Sequence, residues 1–76
     1  MNNKRRAQLG EAKELINKAL AIASAVLDDE ENCMDNLPEN LQGSEKYEKM
    51  EEAVSSLEEL IEHLEEAIES ANEAAE

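Results

Sequence analysis

Hydrophobic positions fall into two long periodic runs separated by a short polar stretch. The first run is Leu9, Ala12, Ile16, Ala19, Ala23 and Val26, spaced 3, 4, 3, 4 and 3. That is the apolar period of one helix face. A second apolar line runs beside it through Leu15, Leu20, Ile22 and Leu27. Ten of the 13 residues from Leu15 to Leu27 are apolar as a result. One partner helix cannot cover so wide an arc, because a helix apolar nearly all round is normally buried on several sides. The pattern weakens at Asp28–Glu31 and resumes with Cys33, Met34 and Leu37, which predicts a first helix over about residues 3–35.

The last segment keeps an unbroken 3-4 rhythm through Tyr47, Met50, Val54, Leu57, Ile61, Leu64, Ile68, Ala71 and Ala75. It also repeats by sevens: Glu-Glu-Ala-Val-Ser-Ser-Leu, Glu-Glu-Leu-Ile-Glu-His-Leu, Glu-Glu-Ala-Ile-Glu-Ser-Ala. In heptad terms, a is Tyr, Val, Ile, Ile, Ala and d is Met, Leu, Leu, Ala. The g positions Ala53, Leu60, Ala67 and Ala74 widen the stripe to bundle width. Every b, e and f position is Glu, Ser or Asn. A second helix is predicted over about residues 44–75.

The connection, about residues 36–43, carries the stop signals. Pro38 cannot sit in a helix interior and biases Leu37 away from helical angles. Gly43 supplies an easy left-handed residue, and Ser44 is a good N-cap. Glu45 in the following turn suits the helix dipole. One helical turn within Pro38–Gln42 fits the spacing.

The chain is therefore expected to be a single all-α domain over residues 1–76, two long helices in an antiparallel hairpin. Helices of about 30 residues span about 45 Å, and a connection of about ten residues turns the chain back on itself. A lone hairpin leaves part of the first helix wet, and an exposed aliphatic patch usually marks an interface. The expected assembly is a homodimeric four-helix bundle, or a larger helical oligomer, with the first helix central. Its interface is assigned to Leu15, Ile16, Ala19, Leu20, Ile22, Ala23, Val26 and Leu27.

Charge changes this picture because it is not spread evenly. The 76 residues hold 20 Asp+Glu and 7 Lys+Arg, for a net charge of −13. Residues 1–27 carry +3, residues 28–43 carry −6 and residues 44–76 carry −10. The excess of acid argues against broad nucleic-acid binding and against an anionic membrane surface. No apolar run reaches the about 20 residues of a membrane span. With Tyr47 the only aromatic residue, the core must be aliphatic and thin. Cys33 is alone, so no disulfide forms within the chain and a reducing, cytoplasmic setting is expected. An antiparallel hairpin brings Lys4, Arg5 and Arg6 to Glu69, Glu73 and Glu76, where each group offsets the other's unfavourable helix end.

Candidate chemistry is sparse. Asp28, Glu30, Asn32, Met34, Asn36 and Glu39 fall at EF-hand loop positions 1, 3, 5, 7, 9 and 12, but Cys33 replaces the required Gly and Pro38 occupies position 11. That cluster reads as a solvated helix end and turn. His63 has no second His to complete a carboxylate di-metal bundle. Cys33 has no basic neighbour in sequence. No catalytic residues, metal ligands or cofactors are assigned, and the chain is read as non-enzymatic.

Two charged surfaces remain. Glu51, Glu58, Glu59, Glu62, Glu65, Glu66 and Glu69, with Glu52 and Glu73, line one long face of the second helix. Such a row either solubilises the helix or mimics a polyanion for a protein with a basic surface. At the opposite pole, Lys4, Arg5, Arg6 and Lys13 from several subunits would converge on an anion, such as a small signalling nucleotide.

From Asp35 through the turn Asn-Leu-Pro-Glu-Asn-Leu-Gln-Gly-Ser into Glu-Lys-Tyr-Glu-Lys-Met-Glu-Glu-Ala-Val, the chain resembles small uncharacterised acidic helical-hairpin proteins of phages and prophages of Gram-positive bacteria. The resemblance covers about residues 30–70, and the Asp-Asn-x-Pro-Glu turn is its more specific part. It implies a phage setting, in which small acidic helical proteins are often inhibitors of host enzymes or defence systems. The expected function is a phage-type interaction protein that inhibits a host defence or nucleic-acid-handling protein through the acidic face. Two other readings stand beside it: an oligomeric sponge for a signalling nucleotide, and a structural coiled-coil adaptor.

Overall fold

A computed structural model describes residues 1–76. The chain is all-α. Helix α1 spans Asn3–Asp35, a short 3-10 turn spans Glu39–Leu41, and helix α2 spans Glu45–Ala74. The two long helices pack against each other in opposite directions, so that Arg6 near the start of α1 reaches Ala75 just beyond α2.

Local chemistry explains where each helix begins and ends. The Asn2 side chain accepts the Arg5 N–H at 2.8 Å, satisfying one of the donors left free at the start of α1. At the other end, the Asn36 and Leu37 N–H groups donate to the Asn32 and Met34 carbonyls, and Pro38 prevents continuation. The next turn is tight: Leu41 N–H donates to the Pro38 carbonyl at 2.9 Å, and Gln42 N–H to the Glu39 carbonyl at 3.2 Å. Gly43 has φ 85°, the left-handed region that suits glycine. Ser44 then caps α2, accepting the Tyr47 N–H at 3.3 Å while its hydroxyl donates back to the Leu41 carbonyl. Glu45 and Glu48 stand in the first turn of α2, on the positive end of its dipole.

The interhelix seam is thin. Ile16, Ala19, Leu20 and Leu27 of α1, and Val54, Leu57, Ile61, Leu64 and Ile68 of α2, are half-buried along it. Only Ala23 is fully buried, at 5% exposure. A small residue there lets the backbones approach at mid-length, but it contributes little apolar area.

The molecule is a rod of 59 × 14 × 12 Å. Its radius of gyration is 17.3 Å, where a compact chain of this length has about 11 Å. It exposes 5656 Å², whereas a compact monomer of its mass exposes about 4700 Å². The excess, roughly 1000 Å², is comparable with the about 800 Å² that each partner contributes to a standard interface. No helix is long and apolar enough to cross a membrane.

Candidate interaction surfaces

The hairpin has two lateral flanks, and one hydrogen bond tells them apart. Lys13 Nζ donates to Asn72 Oδ1 at 2.7 Å, bridging the helices on one side of the seam. Each helix turns by about 100° per residue, so a residue two further along lies about 200° round. Leu15 and Ala74 therefore lie on the other side. The heptad repeat extends each assignment along the rod. On α2 the column of Asn72 continues through Glu65, Glu58 and Glu51; on α1 the column of Lys13 continues through Leu20 and Leu27 in the seam, and Gly10, Asn17 and Ser24 lie one column outward on the same side. Leu15 and Ile22 of α1 share the opposite flank with Ala53, Leu60 and Ala67 of α2.

This division sorts the residues expected at an oligomer interface. Ile16, Ala19, Leu20, Ala23 and Leu27 belong to the seam inside one chain. Leu15 and Ile22 remain 66% and 65% exposed, and Val26 is 45% exposed at their edge. Leu60, 44% exposed, joins them from α2. The signal for Leu60 was the g column, where one Leu stands among three Ala.

The acidic face follows from the same geometry. All twelve Glu of residues 44–76 occupy b, e or f positions, and all are exposed. Those columns are adjacent around the helix, so Glu51, Glu58, Glu59, Glu62, Glu65, Glu66 and Glu69 form one continuous surface. It covers the Lys13–Asn72 flank and the back of α2. The remaining outer column, c, holds Lys49, Ser56, His63 and Ser70, and neither c nor g carries a single carboxylate. Few ion pairs neutralise the surface. Lys49 lies 3.7 Å from Glu45, and His63 lies 3.9 Å from Glu66, both exposed. Pairs of that kind contribute little.

At the basic pole the helix ends do meet, but through different partners from those the charges suggested. Arg6 Nε donates to the Ala75 carbonyl at 2.9 Å, and Lys13 takes Asn72. No ion pair forms with Glu69, Glu73 or Glu76. Glu69 and Glu76 are b residues and Glu73 is an f residue, so all three point away from α1. The carbonyls at the end of α2, which lack N–H donors of their own, are what α1 can reach. Lys4 and Arg5 are exposed at the rod's end, Arg6 and Lys13 are held along the seam, and the surface has no cavity.

The other candidates stay isolated. Cys33 is exposed. The Asp28–Glu39 carboxylates are spread over a helix end and a turn, and no group of three or more His, Cys, Asp or Glu side chains converges in a geometry that would hold a metal ion. No protein-family model, curated protein or solved structure matches this chain.

Proposed function

We propose that this chain is a non-catalytic interaction protein of phage type. It self-assembles as a homodimeric four-helix bundle, or a larger helical oligomer, and presents the acidic face of α2 to a basic surface on a host protein. Occupying that surface inhibits a host factor that handles nucleic acid or acts in defence. The observation that carries the reading is the segregation of charge on α2. All twelve carboxylates of residues 44–76 lie on the b, e and f side, and the outer c column holds none. The result is a row of negative charge along a rod 59 Å long, a shape and charge that fit a groove built for a phosphate backbone.

The test is a quantitative pull-down from host lysate with the wild-type chain and a Glu58→Gln, Glu62→Gln, Glu65→Gln, Glu69→Gln variant. The expected result is one dominant partner with a basic surface, weakened at least about tenfold by the four substitutions and by added salt. Recovery of no partner, or equal recovery by both chains, contradicts the proposal.

A further inference from the structure

The flank formed by Leu15, Ile22, Val26 and Leu60 is the most apolar surface left in water, and several observations specify what covers it. We infer that a second copy of this chain packs there with the two-fold axis parallel to the helices, so that each α1 lies antiparallel to the partner's α2. This rests on the self-assembly proposed above and adds its interface, symmetry and register.

The first observation is area. The chain exposes roughly 1000 Å² more than a compact monomer of its mass, a deficit that one further hairpin on one flank removes. The second is the distribution of carboxylates. Two chains of −13 each repel, yet the c and g columns that border this flank on α2 hold no Glu or Asp. On its α2 side the flank admits a second copy without placing carboxylates in the contact; on α1, Glu11 and Asp29 stand at its two ends.

Charge also selects between the two symmetric ways of stacking the hairpins. An axis perpendicular to the helices and lying in the interface sets α2 against the partner's α2, opposing two segments of −10 each. An axis parallel to the helices sets α2 against the partner's α1, whose first 27 residues carry +3. Opposite charges adjoin along the first 27 residues of α1, its last eight residues carry −5, and the two acidic helices take diagonal corners of the bundle.

The register agrees with that choice. The Arg6–Ala75 and Lys13–Asn72 hydrogen bonds fix the relative height of the helices. Counting along both in opposite directions puts Ile22 level with residues 59–63 of α2. A two-fold axis parallel to the helices preserves height, so the partner's Leu60 arrives beside Ile22 and Val26. The partner's Ala67 arrives beside Leu15. Leu60 thus joins the aliphatic pair Ile22 and Val26, and the small Ala67 leaves room for Leu15.

The experiment uses full-length chains with Cys33→Ser as background. One carries I22C and the other L60C. They are mixed in equal amounts in denaturant, refolded together and oxidised, and the covalent products are separated by mass. Because each chain has one cysteine, every disulfide joins two chains. The expected outcome is a covalent dimer of one I22C chain with one L60C chain, at least about tenfold over either like-with-like product, since disulfides form only when Cα atoms lie within about 7 Å. I22C chains joined to each other as readily would show α1 against α1 and overturn the proposed symmetry. A dimer by light scattering with no covalent product overturns the flank as the interface. A mass of one chain at about 100 µM, with helicity retained, overturns self-assembly itself.

Discussion

The two flanks of the hairpin are built on the same seam yet differ in every property that matters for association. On one side Lys13 reaches Asn72, and Asn17 and Ser24 lie level with Glu65 and Glu58. On the other, Leu15, Ile22 and Leu60 stand 44–66% exposed and no carboxylate of α2 is near. A hairpin designed to live alone would treat both sides alike, with long polar side chains covering the seam. Here only one side is finished for water. The contrast separates two surfaces that the overall charge of −13 blends: one side is acidic and open, and the other is apolar and exposed.

The largest test of that contrast places the same charge on each side at the same height. Ile22→Glu is expected to raise the dissociation constant of the assembly at least 100-fold, about 3 kcal/mol, because it buries an unpaired carboxylate at the centre of the contact. Ser24→Glu, two residues along and on the opposite flank, is expected to change it by less than about 0.5 kcal/mol. Analytical ultracentrifugation of both variants measures the difference, and equal effects would erase the distinction between the flanks.

A smaller effect is expected at the seam between them. Ala23 is the one fully buried residue, and Ala23→Leu puts a larger side chain where the seam is already closed. Overpacking of this kind costs about 1–3 kcal/mol. Thermal unfolding followed by circular dichroism should show the loss, with helicity at low temperature retained.

How much of this the sequence disclosed depends on the kind of signal. The 3-4 spacing from Leu9 to Val26 and from Tyr47 to Ala75 made two long helices visible. Pro38, Gly43 and Ser44 punctuated the turn, so the all-α hairpin was legible from side-chain chemistry alone. The excess apolar width of α1 was legible as well. What periodicity could not say was how Leu15 and Leu20 would divide, because both are Leu beside the same stripe. Their fate depends on how α1 is rotated against α2, and only the Lys13–Asn72 bond reveals it. Leu60 went unassigned for a related reason: a g residue counts as seam or as outer flank according to that same rotation. The Arg6 contact was hidden because charge counting looks for carboxylates, whereas the partner is a backbone carbonyl that any residue supplies.

Two finer substitutions sharpen the comparison on its polar side. A Cβ added at Gly10 meets no atom within 4 Å. Gly10→Ala is therefore expected to stabilise the helix by about 0.5–1 kcal/mol and to leave association unchanged; weakened association would mean that a partner approaches from the polar flank. Lys13→Ala removes one exposed hydrogen bond and is expected to cost about 0.5 kcal/mol or less. A larger loss in denaturant unfolding would show that the polar flank contributes to holding the hairpin closed.

The most direct test of the central claim is the molar mass in solution, by static light scattering from about 5 to about 500 µM, for the wild-type chain and for Ile22→Glu. The account predicts that the wild-type chain rises to twice the 8.5 kDa of one chain, while Ile22→Glu stays at or near the mass of one chain over the same range. A wild-type mass of 8.5 kDa throughout, with full helicity, or an Ile22→Glu chain that assembles as the wild type does, would contradict it.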